Sequence, residues 1–338
     1  MGERIFFMSI FSNKTIIITG ATGLIGSNLV TKLLEDKTTK VIAIGRNQKK
    51  LSYVFEKYID NRNLKLLEHD ISTPLELNES IDYIFHAAGP IAGNIIRETP
   101  VDVILPNILG TLNIMKFMSQ QRKENNIDAK LIIFSSATVY GNAYSEDTVV
   151  AEENTSIADT LDAANAPYSE SKRMVEVIAK SYAKQENLNI SIVRFSYVYG
   201  FTKSLPNTAF YEFIKKALVG EDIVLNNAGL PRRDNIYIED AIEGLLVVAA
   251  KGLNGESYNI STNMQGSNFA AVDEMASVIA EIVNEKNGTN VKVLYRDGKS
   301  TSERTPGIIL NNEKLQSLGW KVNNNLKSGI EKTIEFFS

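Results

Sequence analysis

Tyr168 and Lys172 have the residue types and the spacing for acid–base chemistry. Residues four apart in a helix lie on one face, so the lysine ammonium can lie beside the phenol. A neighbouring positive charge lowers a tyrosine pKa from its usual value near 10, and a phenolate can take a proton from a hydroxyl group. The sequence holds four more Tyr-x-x-x-Lys matches, which we expect to be accidental: Tyr53/Lys57, Tyr199/Lys203, Tyr211/Lys215 and Tyr295/Lys299.

Only the pair Tyr168 and Lys172 lies in a context that suits this chemistry. Pro167 precedes the tyrosine at the expected start of a helix, and an earlier apolar strand ends at Ser135-Ser136. The alternative is that Tyr168 packs as an ordinary aromatic residue and Lys172 is a solvated charge. The context favours the chemical interpretation, so we predict that this pair transfers protons.

A glycine-rich loop lies between the first predicted strand, Thr15–Thr19, and a predicted helix over 24–34. Gly20 allows a tight turn, Gly23 lets the backbone approach a pyrophosphate, and Gly26 lets the helix pack closely on the strand. The free N–H groups and the positive dipole end of the helix then face the phosphates. The pattern predicts a dinucleotide site, although a turn that merely packs would also use glycine. The predicted contacts are Gly20, Thr22, Gly23, Leu24, Ile25 and Gly26.

The end of the second predicted strand carries Gly45 and Arg46, where an acidic residue usually holds the adenosine ribose. A small residue followed by an arginine leaves room for a 2′-phosphate and offers it a charge-assisted hydrogen bond. This pattern favours NADP over NAD. The alternatives are that Arg46 stacks on the adenine or is a solvated surface charge.

The elements that position these residues alternate between strands and helices. Apolar segments without polar alternation, separated by helix-period patterns, are typical of a parallel sheet that is covered on both faces. The chain therefore predicts an α/β fold, a Rossmann-like doubly wound parallel sheet. The predicted strands cover Thr15–Thr19, 41–44, 82–86, 130–135 and 190–194, and the predicted helices between them include 103–118 and 169–184.

The second part of the chain has a different pattern, with fewer predicted strands, longer loops and helical patterns at 210–218, 238–250, 269–283 and 326–337. We expect a smaller C-terminal α+β lobe that completes a substrate site above the sheet. The predicted organisation is an N-terminal extension over 1–12, a dinucleotide-binding domain over 13–198 and a substrate-binding lobe over 199–338 that shares one core with it.

Composition excludes several kinds of protein. The sequence has no cysteine, which excludes disulfides, zinc ribbons and cysteine nucleophiles, and the presence of only two histidines argues against a His-based metal site. We expect no metal. A net charge of −4 gives no general attraction to nucleic acid or anionic membranes. No uninterrupted apolar run has the length of about 20 residues that spans a bilayer. We expect a cytoplasmic protein that binds neither membrane nor nucleic acid.

Taken together, the motifs resemble those of the extended short-chain dehydrogenase/reductase family, the nucleotide-sugar epimerases and dehydratases. The resemblance covers roughly residues 13 to 337, and the order and spacing of its marks are more specific than any one motif. These marks are Thr19 to Gly26, His69-Asp70, His86 to Gly89, Asn107 to Thr111, Ser135 to Gly141, Tyr168 to Lys172, Arg233 to Tyr237 and Leu318-Gly319-Trp320.

The resemblance implies roles for further residues. Ser136 would hydrogen-bond the oxygen that Tyr168 deprotonates, and Lys172 would bind the nicotinamide ribose. Asp70 and Ile71 would contact the adenine end, and Asn107 would lie near the bound nucleotides. Asp70 and Asn107 could instead serve as local turn or cap residues. Further cofactor contacts would be Ala87, Ala88 and Gly89, and substrate contacts would be Ser136, Ala137, Thr138, Tyr197, Arg233 and Arg304. The two arginines would grip a diphosphate, unless they are surface charges.

Departures from the family pattern narrow the activity. In the 4,6-dehydratases an Asp-Glu pair follows the catalytic hydroxyl residue, and the decarboxylases keep the glutamate; here Ala137 and Thr138 stand there, and neither transfers a proton at neutral pH. The run Ser135 to Gly141 instead resembles the UDP-sugar 4-epimerases. Tyr197 replaces the family's usual asparagine, which implies a reshaped sugar pocket unless the tyrosine turns into the core.

Three hypotheses follow. The leading one is an epimerase that oxidises and re-reduces C4 of a nucleotide sugar with a retained cofactor, which would then be NAD. The second is an NADP-dependent nucleotide-sugar 4-ketoreductase or 4-dehydrogenase, which Arg46 and Tyr197 favour. The third is a non-catalytic dinucleotide sensor, against which the intact Ser136, Tyr168 and Lys172 argue. The resemblance also implies a homodimer, formed by the helices over 103–118 and 168–185 in a four-helix bundle.

Overall fold

The computed structural model describes residues 9–89, 93–141, 146–154, 158–226, 232–296 and 306–337. The strands are β1 (Thr15–Thr19), β2 (Lys40–Gly45), β3 (Leu64–Glu68), β4 (Tyr83–His86), β5 (Lys130–Ser136), β6 (Thr148–Val150), β7 (Asn189–Phe195), β8 (Tyr197–Tyr199), β9 (Ile223–Leu225), β10 (Arg232–Tyr237), β11 (Ser257–Ile260), β12 (Phe269–Ala271), β13 (Val293–Tyr295) and β14 (Ile308–Leu310).

The helices are α1 (Leu24–Leu33), α2 (Gln48–Val54), α3 (Gly93–Glu98), α4 (Val101–Asn125), α5 (Ala166–Gln185), α6 (Ala209–Leu218), α7 (Ile238–Lys251), α8 (Val272–Asn287), α9 (Glu313–Gln316) and α10 (Leu326–Glu335). Short 3₁₀ helices cover Glu56–Tyr58 and Ala137–Tyr140. The second of these 3₁₀ helices directly follows β5.

Seven parallel strands form the main sheet in the order β3-β2-β1-β4-β5-β7-β11. The chain moves outward in one direction from β1 to β3 and then returns to place β4 on the other side of β1. The carboxyl ends of β1 and β4 therefore lie at a topological switch point, where ligands bind in open α/β sheets. The predicted doubly wound parallel sheet is confirmed.

The central strand β1 shows why this sheet forms. Its β-branched sequence TIIIT is buried on both faces: Ile16 and Ile18 point into one core, and Ile17 points into the other. Helices α1 and α7 cover the first face, and α4 and α5 cover the second. The first core continues into α6, α8 and α10, so both parts of the chain share it.

The second part of the chain contains more strands than the sequence suggested. A three-stranded sheet has the order β12-β10-β8, and two parallel pairs join β13 to β9 and β14 to β6. The predicted helix over 269–283 is wrong at its start, because Phe269–Ala271 pairs antiparallel with β10 and the helix begins only at Val272.

Among the described residues one helix, α4, is long and apolar enough to cross a membrane, with a mean hydropathy of 1.3. It packs against α5 and the sheet, and it buries polar residues such as Asn107 and Thr111. Core helices of this kind combine length with apolar character because one face packs on the sheet.

Candidate active site

A cleft of about 490 Å³ lies above the carboxyl ends of the parallel strands. Loops after β1, β2, β3, β4 and β5 line it, together with the segment after β7 and the start of α5. It brings together most of the residues that the sequence nominates. These are Gly20, Thr22, Gly23, Leu24, Ile25, Gly26, Arg46, Asp70, Ile71, Ala87, Ala88, Gly89, Ser136, Tyr168, Lys172 and Tyr197.

The glycine loop between β1 and α1 forms one wall of the cleft. Gly20 adopts φ +66°, and a Cβ there would lie 2.8 Å from the Ala88 nitrogen. A Cβ on Gly26 would lie 2.4 Å from the Gly20 carbonyl oxygen, so the helix start could not pack against the turn. Gly23 is the N-cap of α1 and provides no side chain to cap it. The first N–H groups of the helix are therefore available to a diphosphate, and the loop fits a dinucleotide.

The end of β4 forms the neighbouring wall. The Thr19 hydroxyl accepts from the Ala88 N–H at 3.1 Å and lies 2.9 Å from His86 Nδ1. Burial lowers the pKa of His86 to about 3, so this imidazole is neutral. A Cβ on Gly89 would lie 2.4 Å from Asn107 Oδ1 and 3.5 Å from Lys172 Nζ. Glycine at this position thus keeps the space in front of the lysine open.

Ser136, Tyr168 and Lys172 line the cleft together. Ser136 ends β5, and its hydroxyl hydrogen-bonds the side chain of Tyr168. Lys172 follows one turn later on α5, with Nζ 5.9 Å from the centre of the Tyr168 ring. The ammonium donates to the Phe134 carbonyl oxygen at 2.9 Å. This arrangement places a phenol, a hydroxyl and a cation around one point.

The electrostatics of Tyr168 differ from the sequence-based expectation. The spacing predicts that Lys172 lowers the tyrosine pKa, but in the structure burial raises the pKa of Tyr168 above its usual value. The hydrogen bond from Ser136 lowers the Tyr168 pKa, but by less than burial raises it. Burial also lowers the pKa of Lys172 to about 8, against the opposing charge of Glu176. Removal from water disfavours the charged form of each group. Burial therefore raises the pKa of Tyr168, which is charged when deprotonated, and lowers the pKa of Lys172, which is charged when protonated.

Asn107 lies on α4 beside the cleft. Its Nδ2 donates to Ser171 Oγ at 2.9 Å, and Ser171 Oγ donates to the carbonyl oxygen of Tyr168 at 2.9 Å. Within the described part of the chain, Asn107 Oδ1 is buried without a hydrogen-bond partner. Asn107 therefore supports the first turn of α5 from behind, near the region where the resemblance expects the nucleotide.

The other end of the cleft carries Arg46, Lys50 and Asp70. The Asp70 carboxylate accepts from the Ser72 N–H at 2.9 Å; this hydrogen bond holds its pKa below the usual value, and Arg46 adds to the effect. Asp70 thus has a turn role and also faces the cleft. Sequence reasoning missed Lys50, although it lies four residues after Arg46 and in the first turn of α2.

The sugar end of the expected site is only partly inside the cleft. Tyr197 lines it, and the Arg233 guanidinium lies over the Tyr197 ring, 4.9 Å from its centre. Arg233 itself does not line the cleft, and neither do Ala137 and Thr138, which form the 3₁₀ helix beside it. Arg304 lies outside the described residues. Sequence reasoning also missed Ser196, a cleft-lining residue between β7 and β8.

No group of three or more His, Cys, Asp or Glu side chains in the described ranges is placed to hold a metal ion.

Comparison with known proteins gives a family match. The model of the NAD dependent epimerase/dehydratase family matches residues 16–261. The chain is 26% identical to UDP-glucuronic acid decarboxylase 6 of Arabidopsis thaliana over 329 residues, covering 96% of this chain and 89% of that one. It is 28% identical to the human dTDP-D-glucose 4,6-dehydratase over 334 residues, covering 96% and 90%.

A solved structure shows the same fold. The Bordetella bronchiseptica enzyme WbmF, crystallised in complex with NAD⁺ and UDP, superposes with a TM-score of 0.75 at 26% identity, covering 97% of this chain and 93% of that one.

Proposed function

The chain belongs to the NAD dependent epimerase/dehydratase family, and from that premise we propose that it is a nucleotide-sugar 4-epimerase. It is an enzyme of the extended short-chain dehydrogenase/reductase type. The observation that carries the finer assignment is that Ser136, Tyr168 and Lys172 line one cleft, and that the neighbouring 3₁₀ helix begins with Ala137 and Thr138. That helix supplies no carboxylate for water loss or decarboxylation.

The residues suit the chemistry of C4 oxidation. Tyr168 would take the proton of the C4 hydroxyl, and Ser136 would donate a hydrogen bond to the same oxygen. Lys172 would bind the nicotinamide ribose and, as a cation below pH about 8, would favour the phenolate. The bound nicotinamide would supply the remaining chemistry, the acceptance and return of a hydride. Once the 4-keto sugar has turned its other face towards the nicotinamide, Tyr168 would return the proton to the C4 oxygen, and the returned hydride would leave C4 inverted.

A second candidate is an NADP-dependent 4-ketoreductase or 4-dehydrogenase. Arg46 and Lys50 both line the end of the cleft after β2, where β2 ends in Gly45 without a carboxylate. Two cations there suit a 2′-phosphate. This candidate needs the same trio but exchanges its cofactor with solution in each turnover.

Substrate conversion tests the proposal. The purified protein is incubated with UDP- and dTDP-hexoses and UDP-hexuronic acids, and the products are identified by ¹H NMR. An epimerase forms the C4 epimer without net NADH or NADPH change, and Tyr168→Phe forms none. A 4-keto-6-deoxy sugar or a pentose product would contradict the assignment.

We also propose a homodimer. Helices α4 and α5 pack side by side and leave apolar side chains exposed, with Val101 58% exposed, Leu105 46%, Met174 49% and Val177 57%. A second copy would cover this face in a four-helix bundle. Light scattering after size exclusion should give twice the chain mass of 37.5 kDa, and the double variant Val177→Glu, Leu105→Glu should give the monomer mass.

A further inference from the structure

A buried ion pair lies directly behind the cleft, between α5 and β7. The Arg194 guanidinium donates to both carboxylate oxygens of Glu176, at 2.9 Å from Nε and 2.7 Å from Nη2. Both residues are less than a tenth exposed, and neither lines the cleft. The pair therefore acts on the site only through other residues.

Glu176 contacts both elements that carry the trio. It lies one helical turn after Lys172, on the same face of α5. Its Oε1 also accepts from the Ser135 hydroxyl at 2.6 Å, and Ser135 immediately precedes Ser136 at the end of β5. A single carboxylate thus ties the helix with Tyr168 and Lys172 to the strand with Ser136.

Arg194 extends the same connection to the 3₁₀ helix beside the cleft. Its Nη1 donates to the Tyr140 hydroxyl at 2.7 Å, and the guanidinium lies 4.9 Å from the centre of that ring. The Tyr140 hydroxyl donates in turn to Asn259 Oδ1 at 2.9 Å. Tyr140 ends the 3₁₀ helix that begins directly after Ser136, so the pair contacts the last residue of this helix and, through Ser135, the end of the strand that precedes it.

Such a pair is poorly explained by stability alone. Removing two charges from water costs about as much as their attraction returns, so a buried ion pair contributes little net stability but imposes one geometry on its neighbours. Among the described residues, titratable side chains lie near Lys172 on its own helix and on β4. Glu176 and Tyr168 lie on its own helix, and His86 faces it from β4 as a neutral imidazole.

We propose that Glu176, held by Arg194, is a positioning residue that fixes Ser136 and Lys172 relative to each other and keeps Lys172 in its ammonium form. The proposal rests on the function proposed for the trio. It goes further by assigning a role to two side chains that touch neither substrate nor cofactor. The Glu176 charge opposes the lowering of the Lys172 pKa by burial, in agreement with this role.

The test compares the variant Glu176→Gln with Glu170→Gln as the matched control. Glu170 lies on the same helix, pairs with Arg173 at 3.3 Å near the surface and is not among the groups that shift Lys172. The pKa of Lys172 is measured from the pH dependence of its acetylation by acetic anhydride, followed by peptide mass spectrometry. We expect it to fall by about one unit in Glu176→Gln and to stay unchanged in Glu170→Gln.

Kinetics provide the second readout. With the nucleotide sugar that the enzyme converts, kcat of Glu176→Gln should fall about tenfold or more while KM changes little, because positioning affects the reaction more than binding. Should Glu176→Gln not fold, Glu176→Asp replaces it: the shorter carboxylate keeps the charge but not the Ser135 contact, so kcat falls while the Lys172 pKa stays near that of the wild type.

The proposal is overturned if Lys172 titrates identically in Glu176→Gln and the wild type, or if a folded Glu176→Asp retains full kcat. The acetylation readout needs no substrate. A protein that converts no nucleotide sugar but shows the expected Lys172 shift would therefore contradict the proposed function while supporting the role of Glu176 in the Lys172 charge.

Discussion

Arg233 lies over the ring of Tyr197, with its guanidinium carbon 4.9 Å from the ring centre. The backbone pairing of β8 with β10, in which Tyr197 lies opposite Asn235, holds the two side chains together. An arginine stacked on an aromatic face keeps its donors directed sideways, where they can reach a diphosphate. Because Tyr197 lines the cleft and Arg233 does not, the tyrosine connects the arginine to the site.

This contact predicts how the nucleotide sugar is bound. Arg233→Ala should raise KM for the nucleotide sugar by about tenfold or more, the effect of one lost charge-assisted pair, with kcat less affected. Tyr197→Phe keeps the stacking and should behave nearly as the wild type, whereas Tyr197→Ala should resemble Arg233→Ala. Steady-state kinetics of the three variants check this. Unchanged KM in Arg233→Ala would place the diphosphate elsewhere.

Replacement of glycine by alanine should have different effects at two positions of the glycine loop. Gly26→Ala places a methyl group 2.4 Å from the Gly20 carbonyl oxygen, so it should destabilise the protein by about 2 kcal/mol or more and abolish dinucleotide binding. In Gly23→Ala the nearest atom would be 3.3 Å away. That variant should fold normally but bind NAD more weakly, because the methyl group meets the pyrophosphate. Thermal unfolding and NAD titration separate the two effects; equal stability of both variants would contradict this account.

The two cations after β2 predict cofactor preference. If Arg46 and Lys50 face a 2′-phosphate, replacing either with alanine should weaken NADP binding about tenfold and leave NAD binding unchanged. Lys49→Ala is the control, because Lys49 neighbours Lys50 in the sequence but does not line the cleft. Calorimetric titrations with both nucleotides provide the measurement. Equal losses of affinity for NAD and NADP would show that Arg46 and Lys50 do not contact the 2′-phosphate.

The low pKa of Lys172 predicts a pH effect on stability. Its pKa is about 8 in the folded protein and near 10.5 when unfolded, so between these values the unfolded chain binds more protons. The Lys172 contribution therefore makes the free energy of unfolding rise with pH through this window. In Lys172→Met the rise in the free energy of unfolding should be smaller by about 1 to 3 kcal/mol. The rise that remains would come from Lys130, because burial lowers its pKa to about 8 as well. Urea unfolding across the window checks this; an equal rise in both proteins would contradict the burial argument.

Much of this architecture was predictable because local patterns carry it. The bounds of β1 follow directly from the sequence TIIIT and the glycine turn after it, whereas α5 begins at Ala166, three residues before its predicted start. Short strands such as β9 and β13, three residues each, escaped notice because their pairing partners lie far away in the sequence. The helical pattern of Phe269–Ala271 is misleading for the same reason, because only the pairing with β10 makes this segment a strand.

The candidate site likewise has some features that local sequence reveals and others that only the folded structure determines. The glycine loop and the pair Tyr168 and Lys172 could be nominated from the sequence, because their spacing and flanking residues are local. The direction of the Tyr168 pKa could not, because it depends on how deeply the fold buries the phenol. Lys50 and Ser196 reach the cleft from a helix start and a strand junction, and no motif marks them.

The fate of a deuterium label at C4 tests the central proposal most directly. A nucleotide sugar carrying deuterium at C4 is incubated with the purified protein without added cofactor, once the NMR assay has identified a converted substrate. The proposed epimerase returns the same hydride, so the C4 epimer should retain the deuterium at C4. Deuterium in free NADH or NADPH would show a dehydrogenase that exchanges its cofactor, and deuterium at C6 of a deoxy sugar would show a dehydratase; either result would contradict the proposed function.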